Sequence, residues 1–158
     1  MSNDTKTPAQ AAAPTAAQTA RTRAVVDGFL SRIADPQATP ESIAALYGDT
    51  VDWMCAENPV VPWLRPRTSR EGIAAHWREL GEHTVPGAGG ISVDAVVVEG
   101  AEAVLTGRVW GTVRATGKEF RSPFAVRFTV ENDRIVRHHV YEDGVAVAAA
   151  CTPDDPAA

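Results

Sequence analysis

The chain has 158 residues, 44% hydrophobic and 22% charged, which is one ordinary domain with a real core and excludes wholesale disorder. Lys and Arg number 15 against 20 Asp and Glu, a net charge of −5, which argues against a general nucleic-acid binder. Residues 1–20, rich in Ala, Thr, Gln and Pro, have little to bury and lack the pattern of a secretory signal. They read as a disordered tail, with a folded domain over 21–150 and a flexible tail over 151–158. Cys55 and Cys151 form no disulfide framework, and the four histidines have no metal-site spacing. No metal, cofactor or membrane span is expected, and a reducing cytoplasm fits the cysteine usage.

Val25, Val26, Phe29, Leu30 and Ile33 recur at helical spacing over 21–34, and Asp35-Pro36 stops that helix. Thr39 caps a second helix with Pro40 in its first position, its capping box reading as incomplete; its apolar face is Ile43, Ala44, Leu46 and Tyr47. Residues 50–55 alternate as a short strand, and the proline-rich segment 57–69 is an apolar loop of the kind that covers a pocket. Ser69 caps a third helix, with Ile73, His76, Trp77 and Leu80 on one face. Four strands then follow, over 91–98, 102–115, 118–130 and 135–147, with turns at Glu99-Gly100, Thr116-Gly117 and 131–134. Helices first and a meandering sheet afterwards is an α+β pattern.

Strand parity sorts the side chains. Val104, Thr106, Arg108 and Trp110 share one face of their strand, and Ile135, Arg137, His139, Tyr141 and Asp143 share one face of the last. His138 falls opposite, at the surface or the core edge. The column His139, Tyr141, Asp143 reads as the polar lining of a cavity, although a bulge reverses such an assignment.

The phrases DWMCAENPVVPW, SREGIAAHW, TVRATGKEF and FTVENDRIVRHHVYED resemble the SnoaL-like proteins of the nuclear transport factor 2-like superfamily, over roughly Arg21 to Ala150. The resemblance implies a cone-shaped, curved antiparallel sheet with the N-terminal helices packed over it, enclosing one pocket. It also implies relatives as different as ketosteroid isomerase, limonene-epoxide hydrolase and polyketide cyclases. Cys55 and Phe124 stand where ketosteroid isomerase has its base and its oxyanion-hole aspartic acid. Asn58 and Arg108 match the water-holding asparagine and the arginine of limonene-epoxide hydrolase, but Ala56 replaces the tyrosine. Trp110 and His139 occupy the places of its two aspartates. Asp143 lies in the neighbourhood of the SnoaL-like cyclase acid.

The expected function is a cofactor-independent isomerase or cyclase that moves a proton in an apolar pocket. An epoxide hydrolase-like enzyme, an epoxide-opening cyclase and a non-catalytic small-molecule-binding protein are the alternatives. His139 is the expected acid or base, because imidazole exchanges protons near neutrality. Arg108 would stabilise charge on a substrate oxygen, helped by Tyr141, with Asp143 and Asp52 as further acids. Asn58, Trp63, His76, Trp110 and Phe124 are the expected substrate-binding residues, and Trp110 is also expected to stack on a neighbouring guanidinium. The expected partners are an apolar small molecule and a second copy of the chain.

Overall fold

The computed structural model describes residues 13–154. Helix α1 (Ala16–Ala34) starts at Thr15, whose hydroxyl accepts from Gln18 N–H at 3.1 Å. It thus begins ahead of Arg21; residues 1–12 of the expected tail lie outside the described residues, as do 155–158. Two hydrogen bonds tie α1 to the sheet: Thr22 O–H donates to the Gly100 carbonyl (2.6 Å), and Gly100 N–H donates to Thr19 Oγ1 (2.9 Å). Helix α2 (Pro40–Ala44) has a complete capping box, correcting the expectation. Ser42 Oγ takes the N3 role that Glu or Gln usually fills, accepting from Thr39 N–H (3.0 Å) while Thr39 Oγ1 accepts from Ser42 N–H (3.1 Å). Helix α3 (Arg70–His83) is capped by Ser69, which accepts from Gly72 N–H at 3.2 Å. No helix among the described residues is long and apolar enough to cross a membrane.

Strands β1 (Tyr47–Met54), β2 (Gly90–Glu99), β3 (Glu102–Thr112), β4 (Glu119–Glu131) and β5 (Arg134–Glu142) form one sheet in the order β1-β5-β4-β3-β2. This corrects the cone-shaped antiparallel expectation. The sheet is mixed and open: β1 runs parallel to β5, and β1 and β2 are opposite edges that do not pair. Hairpin turns force the antiparallel sense only on consecutive strands, and β1 reaches β5 from the far end of the chain. Tyr47, expected on the second helix, instead opens β1. The turn between β4 and β5 places Asn132 and Asp133 at φ 49° and 58°, the left-handed pair of a tight hairpin. The last strand ends at Glu142, earlier than expected, and residues Gly144–Cys151 form helix α4. Its N-cap is Asp143, whose Oδ1 accepts from Val145 and Ala146 N–H, both at 3.1 Å.

The β4–β5 register opposes Thr129 to Arg137 but Val130 to Ile135, which leaves Val136 as a bulge. The bulge puts Ile135 on the helix-covered face with His138, Val140 and Glu142, and turns Arg137, His139 and Tyr141 outward. Two apolar clusters form under the helices. Val26, Phe29, Tyr47, Ile73, Leu105, Phe128 and Ile135 belong to the first; Val61, Trp63, Leu64, Phe120 and Val147 belong to the second.

Gly107 allows β2 to approach β3 beside a register shift at Asp94. A Cβ there would lie 1.9 Å from the Ser92 carbonyl oxygen and 3.0 Å from the Phe124 ring. Gly107→Ala is expected to part the two strands and cost about 1–3 kcal/mol. Urea unfolding checks this, and an unchanged midpoint would contradict it.

Candidate functional site

Where the two clusters meet, a cavity of about 160 Å³ remains. Its walls are Phe29, Leu30 and Ile33 of α1, Trp77 and Leu80 of α3, Trp63 and Leu64 of the proline-rich loop, the inner face of β3 and β4, and Val147 of α4. A cavity this size accommodates a substituted benzene ring. Among these apolar walls stand His76, His138, Glu142 and Cys55. A surface groove of about 360 Å³ shares Ile33, Trp77, Leu80, Ile91, Val109 and Phe120 with the cavity, and Val85, Pro86 and Gly87 form its rim. The mouth is therefore at the glycine-rich loop before β2. Trp63, expected to close the mouth, is instead a buried wall.

His76 and His138 both pack on the Trp53 indole, with ring centroids 4.9 and 4.3 Å away. His138, expected at the surface or the core edge, is 5% exposed. Its Nδ1 lies 2.8 Å from the Tyr47 hydroxyl. Tyr47 is fully buried and its hydroxyl has no other partner among the described residues, so its O–H must donate to His138 Nδ1 or go unpaired. Nδ1 is then an acceptor, and the proton of the neutral ring sits on Nε2. His76 is the reverse. Its Nδ1 lies 3.1 Å from the Trp63 carbonyl, which can only accept, so Nδ1 carries the proton and Nε2 a lone pair. Neither Nε2 has a hydrogen-bond partner among the described residues, and both rings line the cavity. The cavity thus presents one neutral imidazole as donor and another as acceptor.

Burial keeps both rings uncharged. It lowers the His76 pKa from 6.5 to about 4, outweighing the Trp63 bond. His138 lies well below 6.5, first through burial and then through the neighbouring His76 and His139. Burial also pushes the Tyr47 phenol well up, so it keeps its proton. Tyr47→Phe is expected to cost about 1–3 kcal/mol and to release His138 into a mixture of tautomers. Imidazole ¹⁵N NMR with urea unfolding checks this; an unaltered Nε2–H ring at unaltered stability would contradict the assignment.

Of the residues expected from sequence, Trp63, His76 and Phe124 line the cavity, and Trp110 lines the outer groove. The polar column lies on the other side of the sheet, a correction that follows from the bulge at Val136. There His139 Nε2 sits 3.0 Å from Asp52 Oδ1, without the alignment of a hydrogen bond, and Arg137 Nε donates to Asp52 Oδ2 at 2.7 Å. Asp52 and His139 do come together, as a pair, but outside the cavity. The Arg137 bond and then the His139 contact hold the Asp52 carboxyl below its usual value. Arg108 is exposed on the outer face of β3, and Tyr141 is 52% exposed. Asp143 is spent on the α4 cap. Asn58 Oδ1 accepts from Val60 N–H at 3.1 Å and shapes its own loop. The Arg121 guanidinium stacks on Trp110, 5.3 Å from the ring centre. Tyr47, His138, Glu142 and Cys55 were not among the expected site residues. The one signal for His138 was its place opposite the polar column, expected at the surface or the core edge, and Glu142 shares its parity.

The fold is shared with several solved structures. An NTF2-like protein of Burkholderia thailandensis is 26% identical, with a TM-score of 0.71 over 84% of this chain and 98% of that one. An NTF2-like protein of Burkholderia pseudomallei has a TM-score of 0.72 at 16% identity, covering 84% and 98%. An LEH-like epoxide hydrolase of M. tuberculosis has 0.61 at 15% identity, covering 85% and 91%. No curated protein matches the sequence. The family model of the SnoaL-like domain matches residues 26–138, most of the chain and most of the residues that line the cavity. The chain therefore belongs to the SnoaL-like domain family, within the NTF2-like superfamily.

Proposed function

We propose that this protein is a small-molecule enzyme that moves a proton within its apolar cavity, as an isomerase or cyclase acting on a carbonyl compound. The observation that carries the reading is the opposite tautomer of two uncharged imidazoles opening on one cavity. His76 Nε2 takes a proton from the carbon beside a substrate carbonyl. The C–H electron pair becomes the enolate double bond, and the carbonyl π electrons move onto oxygen, where His138 Nε2–H donates to the developing charge. Returning the proton from His76 to another carbon gives an isomer and restores the neutral ring. Attack of the enolate carbon on a second carbonyl instead forms a C–C bond and an alkoxide, which takes the proton back from His76 to give a cyclised alcohol and the neutral ring. A base of pKa about 4 has the strength of a carboxylate and is free of its proton at neutral pH.

The test uses cyclohexanone and beta-tetralone in D₂O, with exchange of their α-protons followed by NMR. Exchange faster than in buffer containing free imidazole is expected. Binding of these ketones without faster exchange would make the cavity a carrier site and end the enzymatic reading. Arg108 and His139, on which the isomerase, cyclase and epoxide-opening expectations alike rest, face away from the cavity.

A further inference from the structure

The proton-transfer mechanism leaves one polar wall of the cavity unused. Glu142 is the carboxyl among the lining residues, on the same face of β5 as His138 and Val140. Its backbone is fixed on both sides. It pairs with Phe124 of β4, and the next residue, Asp143, donates its N–H to Ser122 Oγ at 2.8 Å before capping α4. The carboxyl has no hydrogen-bond or ion-pair partner among the described residues, and Cys55 and Val147 line the cavity with it. Burial, and then the neighbouring Asp143, push its pKa up. The residue also borders a shallow surface depression with Tyr141 and Asp143, and a carboxyl set against apolar walls favours a ligand group that donates to it.

We propose that Glu142 is a further ligand-binding residue of the cavity, beside His76 and His138. It accepts a hydrogen bond from a hydroxyl at the far end of an elongated, mainly apolar ligand, whose near end is a phenol or enol oxygen held by His76 and His138. The inference rests on the cavity being the ligand site, as read above. A hydroxyl oxygen suits the histidine pair because it donates to His76 Nε2 and accepts from His138 Nε2–H. Positions 138 and 142 are four residues apart on one strand, about 13 Å. A hydrogen bond of about 3 Å at each end leaves about 7 Å between the two ligand oxygens. A benzene ring with a two-carbon arm ending in hydroxyl spans that distance.

The test is calorimetric titration of the full chain with para-ethylphenol and with para-(hydroxyethyl)phenol, which differ by the terminal hydroxyl. Wild type is expected to bind the hydroxylated compound about tenfold more tightly. Glu142→Ala is expected to abolish that preference, and Glu142→Gln, which keeps the shape and an acceptor oxygen, to retain part of it. Equal affinity of wild type for both compounds would overturn the assignment, as would a preference that survives in Glu142→Ala. Failure of both compounds to bind would remove the cavity reading itself, which separates the two claims.

Discussion

Acidification from neutral pH to about 4 is expected to cost the fold about 3 kcal/mol through His76 alone, since its pKa falls from 6.5 to about 4 on folding. Between those two values the unfolded chain holds a proton on this ring that the native state refuses. Stability is therefore full above about 6.5 and drains away as the pH falls toward 4. His138 is depressed for the same reason and adds loss of the same sign. Asp52, Glu41 and Glu102 have lowered values too and add loss of the same sign on acidification. They are accessible to water, where such pairs contribute little. Glu142 acts oppositely: its raised pKa favours the native state at low pH and loses that advantage as the pH rises. Urea unfolding of wild type and His76→Asn across this range checks the prediction. The Asn variant should lose about 3 kcal/mol less on acidification, because it has no imidazole to protonate. Parallel stability–pH curves for the two proteins would show that His76 is not buried neutral.

His76→Asn is also expected to slow enzyme-dependent ketone exchange by about 100- to 10,000-fold, the usual worth of a positioned general base. Asn is the informative replacement, because its side-chain N–H can still donate to the Trp63 carbonyl that anchors His76 at 3.1 Å. The variant keeps the tie between α3 and the proline-rich loop and loses only the lone pair at Nε2. The wild-type rate should be flat through neutral pH and fall on the acid side near 4, where the ring gains its proton. His138 should leave no limb near neutrality, since its ring is already uncharged there. A loss of less than about threefold in the Asn variant, with the protein folded, would place the base elsewhere.

Much of the fold follows from short-range pattern. The periodicity of Val25 to Ile33, the caps at Thr39 and Ser69, and the turns at 99–100, 116–117 and 131–134 depend on residues within a few positions of one another. Helix α4 escaped that reading because GVAVAAAC is apolar on all sides and carries no helical stripe. The capping box of α2 was missed because Ser42 fills a position where Glu or Gln is the usual sign.

By itself the sequence determined the order of most elements, the resemblance that the SnoaL-like match bears out, and the grouping of Arg137, His139 and Tyr141 on one strand face. Parity is a relative quantity, and it names no inside. The tertiary structure decided that, because the bulge at Val136 is a property of pairing with β4 and the parallel β1 is a property of pairing with β5. It also decided the chemistry of the two imidazoles. Which nitrogen carries the proton depends on Tyr47, 91 residues from His138, and on the Trp63 carbonyl, 13 residues from His76. Those partners meet only when helices and sheet close on one cavity, and there Glu142 gains its place as well.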